Sequence, residues 1–287
     1  RGGKDTRSDG KKMERIGMVG VGAMGSALLE RLKLAGIQPV VYDSYAPALE
    51  AARSMGTKIA PSAAEVAQAS TIIDIVVRTD QDALDCVMGK DGVLEGIQAG
   101  TLILLHSTIL SQTTKKVADA ARKQGVHVID ACMLGVPNTV REGNLCWVVG
   151  GPVELVERAR PHLLKMGKQI FHMGPLGSGN VAKLMRNLVT GSETLIIHEA
   201  LQIGEAAGIS YREALEMMRQ THHESVLSRW QERFDPSGTS STPRAGRNIF
   251  DKDIPLAAEL AHDYGLDLPI TEQLAVAGQR LLKEKAS

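Results

Sequence analysis

The chain has 287 residues, with 33 Lys plus Arg against 33 Asp plus Glu, and its length predicts one large domain and a smaller one. This balance gives no sequence-wide attraction to nucleic acid or to acidic membrane surfaces, so we expect a small-molecule ligand and no nucleic-acid partner.

The sequence also argues against a membrane protein. No stretch reaches the roughly 18 to 20 continuous apolar residues of a membrane span, and Arg1–Lys12 has no apolar run that could serve as a signal or anchor. Cys86, Cys132 and Cys146 lack metal-ligand spacing, and an odd number cannot close a complete disulfide set. We therefore expect a cytoplasmic protein with reduced thiols.

Short β-branched runs alternate with helical patterns from Arg15 onward, which is typical of βαβ units around a parallel sheet. Ser62-Ala-Ala-Glu65 predicts a helix start, because it has the form of a capping box. The predicted strands are Ile16–Val19, Val40–Tyr42, Ile72–Val77, Leu102–Leu105, Val126–Ile129 and Cys146–Val149. The expected fold class is α/β, with a doubly wound Rossmann sheet.

Strand patterns stop after Phe171, and an unusually long helical pattern runs from Asn180 to about Ala207, ended by Gly208. Asp235–Gly246 is rich in Ser, Thr, Pro and Gly, which predicts a loop. The other helical patterns are approximately Glu213–Arg219, Ser225–Phe234, Ile254–Tyr264 and Thr271–Lys283. We therefore place a Rossmann domain over residues 13–177 and a smaller all-α domain over residues 178–287.

A glycine-rich turn joins the first predicted strand to a helix-competent segment, in the form G-x-G-x-x-G. Its glycines would permit a tight turn, close approach of a pyrophosphate, and helix packing against the strand. Asp43 ends the second strand about 20 residues later, where a carboxylate binds ribose hydroxyls. The alternative is a glycine-rich turn beside an unrelated aspartate. The predicted dinucleotide contacts are Gly20, Gly22, Ala23, Met24, Gly25 and Asp43.

Asp43 also bears on cofactor choice. Its charge would repel a 2′-phosphate, and Ser44 follows it where an NADP-selective pocket usually offers Arg. We therefore expect NAD to be preferred over NADP.

The segment from Gly177 to Asn187 resembles the G-x-G-x-x-x-K-x-x-N-N signature of the β-hydroxyacid dehydrogenases, in particular their 3-hydroxyisobutyrate dehydrogenase branch. The resemblance covers residues 15 to about 285. It implies hydride transfer between NAD(P) and a small 3-hydroxy carboxylic acid, an active site between the two domains, and a homodimer or homotetramer.

Within this signature, Lys183 resembles the general acid/base and Asn187 its orienting partner. Their spacing of four puts an amine and an amide on one helix face, where both can reach one substrate oxygen. The alternative for Lys183 is a solvated surface lysine.

Four further residues are assigned from resemblance or from their place in the sheet. Ser107-Thr108-Ile109 resembles the family's turn beside nicotinamide and substrate, which implies a substrate contact for Ser107 and a cofactor contact for Thr108, although both could simply cap a helix. Lys252 resembles a family lysine that approaches the nicotinamide, with a solvated lysine as the alternative. Arg78 follows a strand, where it could touch cofactor phosphates or form a loop salt bridge.

The expected substrate loop, Asp130–Val136, departs from the family pattern. Leu134 replaces a Ser that binds carboxylate, and Val136 replaces a Gly, so we expect a bulkier, more apolar substrate. Met133, Leu134 and Gly135 are the predicted substrate contacts in this loop. Arg186 replaces an Asn of the signature and could supply the missing carboxylate contact or lie on the surface.

The sequence also bears on metal binding and on two alternative functions. We predict no metal, because adjacent His222 and His223 point about 100° apart on a helix and no further ligand set accompanies them. An imine reductase typically has Asp or Tyr in place of Lys183, and a non-catalytic NAD-binding assembly module related to this fold has lost that lysine. Lys183 thus favours a hydroxyacid dehydrogenase over both alternatives.

Overall fold

The computed structural model of the chain describes residues 14–221 and 249–283. These form two compact units. The first contains the described residues up to Ser107 together with Ser111–Gly179. The second contains Thr108–Leu110 and the described residues from Asn180 onward.

The first unit is built on a sheet that has eight strands in the described part of the chain, in the order β3-β2-β1-β4-β5-β6-β7-β8. All neighbouring strands are parallel except β6 and β7, which pair antiparallel. The strands are β1 Ile16–Val19, β2 Val40–Tyr42, β3 Lys58–Ile59, β4 Ile72–Ile75, β5 Leu102–Leu105, β6 His127–Leu134, β7 Cys146–Gly150 and β8 Gln169–Gly174.

Continuous apolar runs place the central strands inside the unit. Every residue of β1, β4 and β5 is buried, as expected for parallel strands covered on both faces. A core cluster that includes Met18, Leu28 and Trp147 joins strands to the adjacent helices. The helices of this unit are α1 Ala23–Leu34, α2 Ala46–Ser54, α3 Ala63–Ala69, α4 Asp80–Met88, α5 Val93–Gly96, α6 Ser111–Arg122, α7 Pro137–Arg141 and α8 Val153–Met166.

The doubly wound sheet is confirmed, but four strands differ from the predictions, and one of them, β4, ends at Ile75 rather than at Val77. The sequence patterns missed β3 and β8, whose residues are mostly exposed or half-buried and carry no buried apolar run. Strand β6 continues to Leu134, whereas we predicted an end at Ile129, because Asp130–Leu134 pair antiparallel with β7. Most of the expected substrate loop is therefore strand.

The second unit is helical in its described part. Its long helix begins earlier than predicted, because Ser178 and Gly179 are already helical. The predicted Ser225–Phe234 helix, the Asp235–Gly246 loop and the His222-His223-Glu224 segment lie outside the described residues. The helices are α9 Ser178–Ala206, α10 Tyr211–Thr221, α11 Asp253–Asp263 and α12 Pro269–Lys283.

Apolar packing holds this unit together. A cluster that includes Leu201, Leu215, Phe250, Ile254 and Leu274 joins α9, α10, α11 and α12. Within residues 14–221 and 249–283, no helix has both the length and the apolar character that crossing a membrane requires.

Two glycines of α9 differ in the space around them and allow a matched test of packing. A Cβ on Gly179 would lie 2.6 Å from Asp130 Oδ2 and 2.6 Å from the Val148 carbonyl oxygen, whereas a Cβ on Gly204 would meet its nearest atom at 4.0 Å. We expect Gly179→Ala to lower the free energy of unfolding by about 1–3 kcal/mol. Gly204→Ala should raise it by about 0.5–1 kcal/mol, because alanine favours the helix.

Urea denaturation of both variants and the parent protein measures these changes. Equal stability of the two variants would show that the backbone around Gly179 accommodates a methyl group, contrary to the close packing described.

Candidate active site

The turn after β1 requires glycine at its first position. Gly20 has φ of +95°, and its backbone N–H donates to the Tyr42 carbonyl oxygen at 2.9 Å. A Cβ there would lie 2.1 Å from the Val76 carbonyl oxygen. Both the conformation and the close approach of Val76, the residue after β4, exclude a side chain.

The other two glycines of this turn have opposite surroundings. A Cβ on Gly25 would lie 2.1 Å from the Gly20 carbonyl oxygen, so Gly25 lets α1 pack closely against the turn. A Cβ on Gly22 would meet no atom within 4 Å. Gly22 is the N-cap of α1 and has no side chain to satisfy the first N–H groups of the helix. This end of α1 can therefore accept an anionic group such as a pyrophosphate.

Asp43 is held beside the same turn. Its Oδ2 accepts a hydrogen bond from the Val21 N–H at 2.7 Å, and its Oδ1 accepts one from the Tyr45 N–H at 2.8 Å. Each carboxylate oxygen has a second lone pair, which two ribose hydroxyls could use. The glycine turn and Asp43, predicted separately from the sequence, thus lie together and fit a dinucleotide.

The remaining predicted cofactor residues of this unit differ in exposure. Ala23 is exposed beside Gly22, and Met24 is half-buried against the core cluster. Arg78 is exposed after β4 and directly precedes Thr79, which caps α4.

Ser107 lies at the carboxyl end of β5, where its hydroxyl donates to the Val77 carbonyl oxygen at 2.7 Å. Its side chain is buried and ties β5 to the residues that follow β4. Thr108 belongs to the second unit, and its carbonyl oxygen accepts a hydrogen bond from Lys252 Nζ. The structure therefore brings Thr108 and Lys252 together.

The predicted substrate residues in and directly after β6 differ in their surroundings. Met133 is buried in the core cluster, and its role as a substrate contact stays a prediction. Leu134 is the half-buried last residue of β6 and pairs with Cys146. Gly135 follows it, and a Cβ there would lie 3.0 Å from side-chain atoms of Leu145 and Thr139.

Helix α9 has a buried polar face. Its members lie three or four residues apart, which places them along one side of the helix. They are Asn180, Lys183, Asn187, Thr190 and Thr194, each at most 9% exposed. Lys183 and Asn187 are therefore buried polar residues rather than solvated ones.

A hydrogen-bond network fixes the amide of Asn187. Its Nδ2 donates to Asp253 Oδ2 at 2.6 Å, and its Oδ1 accepts from Arg186 Nη1 at 3.2 Å. The other carboxylate oxygen of Asp253 lies 3.1 Å from Lys252 Nζ. Asp253 thus links Asn187 to Lys252 and, through Lys252, to Thr108.

The sequence alone did not identify Asp253 as the partner of Asn187. The two residues are 66 positions apart, and no local spacing relates them.

Within residues 14–221 and 249–283, no group of three or more His, Cys, Asp or Glu side chains could hold a metal ion.

Two family models together match most of the chain. The model for the NAD binding domain of 6-phosphogluconate dehydrogenase matches residues 15–174. The model for NAD-binding of NADP-dependent 3-hydroxyisobutyrate dehydrogenase matches residues 177–286.

Similar proteins include two from Pseudomonas aeruginosa. The chain is 30% identical to an NAD-dependent L-serine dehydrogenase, over 94% of this chain and 92% of that protein. It is 33% identical to a 3-hydroxyisobutyrate dehydrogenase, over 73% of this chain and 70% of that protein.

Solved structures share the fold. The 3-hydroxyisobutyrate dehydrogenase of Mycobacterium tuberculosis with L-serine gives a TM-score of 0.81 at 24% identity, covering 93% of each chain. An imine reductase variant of Myxococcus stipitatus with NAD⁺ gives 0.63 at 20% identity, covering 95% of this chain and 94% of that one.

The role of Asp253 can be tested by Asp253→Asn, with Asp267→Asn as an exposed control. An asparagine can accept from Asn187 with its one oxygen, but its amide N–H₂ then faces the Lys252 ammonium, donor against donor. We expect a loss of about 1–3 kcal/mol in the free energy of unfolding for Asp253→Asn and little change for the control.

Chemical denaturation measures both variants. If the two variants lose equal stability, the hydrogen bond of Asp253 to Asn187 and its ion pair with Lys252 do not stabilise the helical unit.

Proposed function

The chain belongs to the β-hydroxyacid dehydrogenase family and is an NAD(P)-dependent oxidoreductase of hydroxy acids, and we propose that Lys183 serves as its general acid/base. The substrate is a small 3-hydroxy carboxylic acid. The observation that carries this proposal is the buried Lys183 on the same face of α9 as Asn187, whose amide Asp253 and Arg186 orient.

The glycine turn and Asp43 would hold the cofactor. The space at Gly22, the N-terminus of α1 and the fixed carboxylate of Asp43 suit its pyrophosphate and ribose. When bound, the nicotinamide ring supplies the hydride acceptor or donor. Ala23, Arg78, Thr108 and Lys252 are the further proposed cofactor contacts.

In the proposed reaction, Lys183 transfers the proton and Asn187 binds the oxygen of the reacting carbon. During reduction the Lys183 ammonium donates a proton to the developing alkoxide, and during oxidation the neutral amine takes the proton from the hydroxyl. Asn187 hydrogen-bonds the same oxygen and holds it toward the lysine. Its amide is suited to this role because its hydrogen bonds to Asp253 and Arg186 set which end donates and which accepts.

Lys183 also discriminates between this reaction and the two alternatives. The imine reductase fold is similar to this one, but we expect Asp or Tyr at this position in such an enzyme. A non-catalytic NAD-binding module needs no buried lysine beside an oriented amide. A proton donor and acceptor at Lys183 fits alcohol chemistry.

NAD is the proposed preferred cofactor. The negative charge of Asp43, which is held against the turn by two backbone N–H groups, would repel the 2′-phosphate of NADP.

The proposed substrate carries a larger apolar group than hydroxyisobutyrate. Leu134 at the end of β6, Gly135 and the exposed Val136 offer an apolar surface where the family pattern has a hydroxyl. Ser107 is the further proposed substrate contact in the first unit. In the second, Arg186 lies next to Asn187 and can bind the carboxylate that Leu134 cannot.

We also propose that the protein is a homodimer or homotetramer. Met185, Val189 and Ile196 form an exposed apolar stripe on α9, 58–65% exposed, which a second copy could cover. Sedimentation of the whole protein measures its mass, and a monomer at micromolar concentration contradicts the proposal. The cytoplasmic location stays a prediction.

The role of Lys183 predicts a specific kinetic effect. Lys183→Ala should lower kcat at least ~100-fold, because a positioned general acid/base is lost, and should leave NAD affinity nearly unchanged. Lys116→Ala, at an exposed position of α6, is the control and should keep full activity.

Activity is measured with a series of 3-hydroxy acids by NADH formation at alkaline pH. Retention of more than about a tenth of kcat by Lys183→Ala, with hydride transfer rate-limiting, excludes the lysine as the acid/base. Absence of turnover with every 3-hydroxy acid by the wild type favours the assembly module.

Asp43→Ala tests the cofactor preference. We expect NAD binding to weaken by about 1–3 kcal/mol and discrimination against NADP to decrease, because both the ribose contact and the repelling charge are removed. Calorimetry with each cofactor, together with thermal denaturation, separates this effect from damage to the turn. Equal weakening of NAD and NADP binding would assign Asp43 a structural role only.

Leu134→Ser tests the substrate class, with Leu134→Ala as the control that removes the apolar group without adding a hydroxyl. Wild type should favour acids one or two carbons larger than hydroxyisobutyrate by about 10- to 200-fold in kcat/KM, at roughly 1–3 kcal/mol per methylene. Leu134→Ser should reverse part of this preference, whereas Leu134→Ala should not restore kcat/KM for the small acid. Parallel kcat/KM profiles across all three proteins would show that residue 134 does not face the substrate.

A further inference from the structure

Three ionisable side chains meet inside the first unit, outside the proposed cofactor and substrate residues. Asp74 lies in β4, His106 directly follows β5, and His162 lies in α8, with exposures of 0%, 1% and 4%. We call them the Asp74 cluster. A charged group at such depth is stable only when its hydrogen bonds and its charge are both matched.

Asp74 bridges the two histidines. Its Oδ1 lies 2.8 Å from His106 Nε2, and its Oδ2 lies 2.8 Å from His162 Nε2. The second nitrogen of His106, Nδ1, lies 2.7 Å from the Ala131 carbonyl oxygen in β6. The His106 ring also lies 4.8 Å from the Trp147 ring, centroid to centroid.

Asp74 is ionised in this setting. Burial by itself raises the pKa of the Asp74 carboxyl, but the charge and hydrogen bonds of His162 and His106 outweigh burial and hold this pKa well below its usual range. As a carboxylate, Asp74 can only accept hydrogen bonds, so the nitrogens that face it carry hydrogen.

The two histidines differ in the contact of their other ring nitrogen. The Ala131 carbonyl oxygen can only accept, so His106 Nδ1 carries hydrogen and donates to it. The buried Nδ1 of His162 has no hydrogen-bond partner among the described residues. The His106 ring therefore joins two strands, whereas the His162 ring joins α8 to β4 alone.

We propose that His106, held by hydrogen bonds between the Asp74 carboxylate and the Ala131 carbonyl oxygen, is a positioning residue for the turn that begins at Ser107. Its ring joins β4 to β6 across the end of β5. Its backbone N–H donates to the Ile75 carbonyl oxygen at 3.0 Å. The effect on catalysis rests on the proposed function, in which Ser107 contacts substrate.

The neighbouring bonds show why the ring affects the turn. Ser107 donates to the Val77 carbonyl oxygen after β4, and the Cys132 thiol of β6 lies 3.4 Å from the Ser107 carbonyl oxygen. Ser107 is thus bonded to the same two chain segments that His106 ties together. A small shift of a substrate-contacting group at this turn would lower the rate without affecting the adenosine half of the cofactor site.

The hydrogen bond from His106 to Ala131 is tested on the wild-type protein, independently of activity. Imidazole ¹⁵N NMR near neutral pH should show hydrogen on Nδ1 of His106, the donor to the Ala131 carbonyl oxygen, with His106→Gln providing the assignment. An unprotonated Nδ1 on His106 overturns the proposal. This measurement stands even if Lys183 is shown to have no role in catalysis.

The positioning role is tested by comparing Asp74→Asn with His162→Gln, which loses one partner of Asp74 but keeps the bond to His106. Asp74→Asn should lower kcat about 10- to 100-fold while the dissociation constant of ADP, a probe of the adenosine half, stays unchanged. His162→Gln should lower Tm by several degrees and retain kcat. Wild-type kcat in a folded Asp74→Asn protein, or equal losses of kcat in both variants, would overturn the role of His106.

Discussion

Full burial of the central strands is the constraint on which the first unit depends. Because β1, β4 and β5 are buried along their whole length, any polar group inside them must find its partner within the protein. The same burial leaves the carboxyl ends of the parallel strands as the place where polar groups can meet a ligand. The glycine turn after β1, Asp43 after β2 and Ser107 after β5 all follow from that rule.

The same constraint explains the less expected polar groups of the sheet. Asp74 is inside β4 and is matched by two histidines, and Asp130 is inside β6 and accepts the Gly177 N–H at 2.6 Å. Each of these side chains ties a strand to a distant segment of the chain. Buried polar side chains in this unit therefore connect distant elements through hydrogen bonds.

In the helical unit, the same need for partners of buried polar groups applies to one face of α9. Lys183 and Asn187 lie on a buried polar side of α9, where an unmatched amide would be costly. Asp253 and Arg186 match the amide of Asn187, and the result is an oriented donor and acceptor one turn from a lysine. This geometry is what the proposed roles of the pair, proton transfer and binding of a substrate oxygen, require.

Local spacing in the sequence was enough to determine the doubly wound sheet, the G-x-G-x-x-G turn with Asp43, and the Lys183–Asn187 pair, because strand alternation, turn geometry and helical periodicity act over a few residues. Tertiary structure alone decided the antiparallel pairing of β6 and β7, which turned most of the expected substrate loop into strand and buried Met133. It also decided that Asn187 meets Asp253, 66 positions away, and that Asp74 meets His162, 88 positions away. These contacts depend on how whole elements pack, and no residue pattern near either partner encodes them.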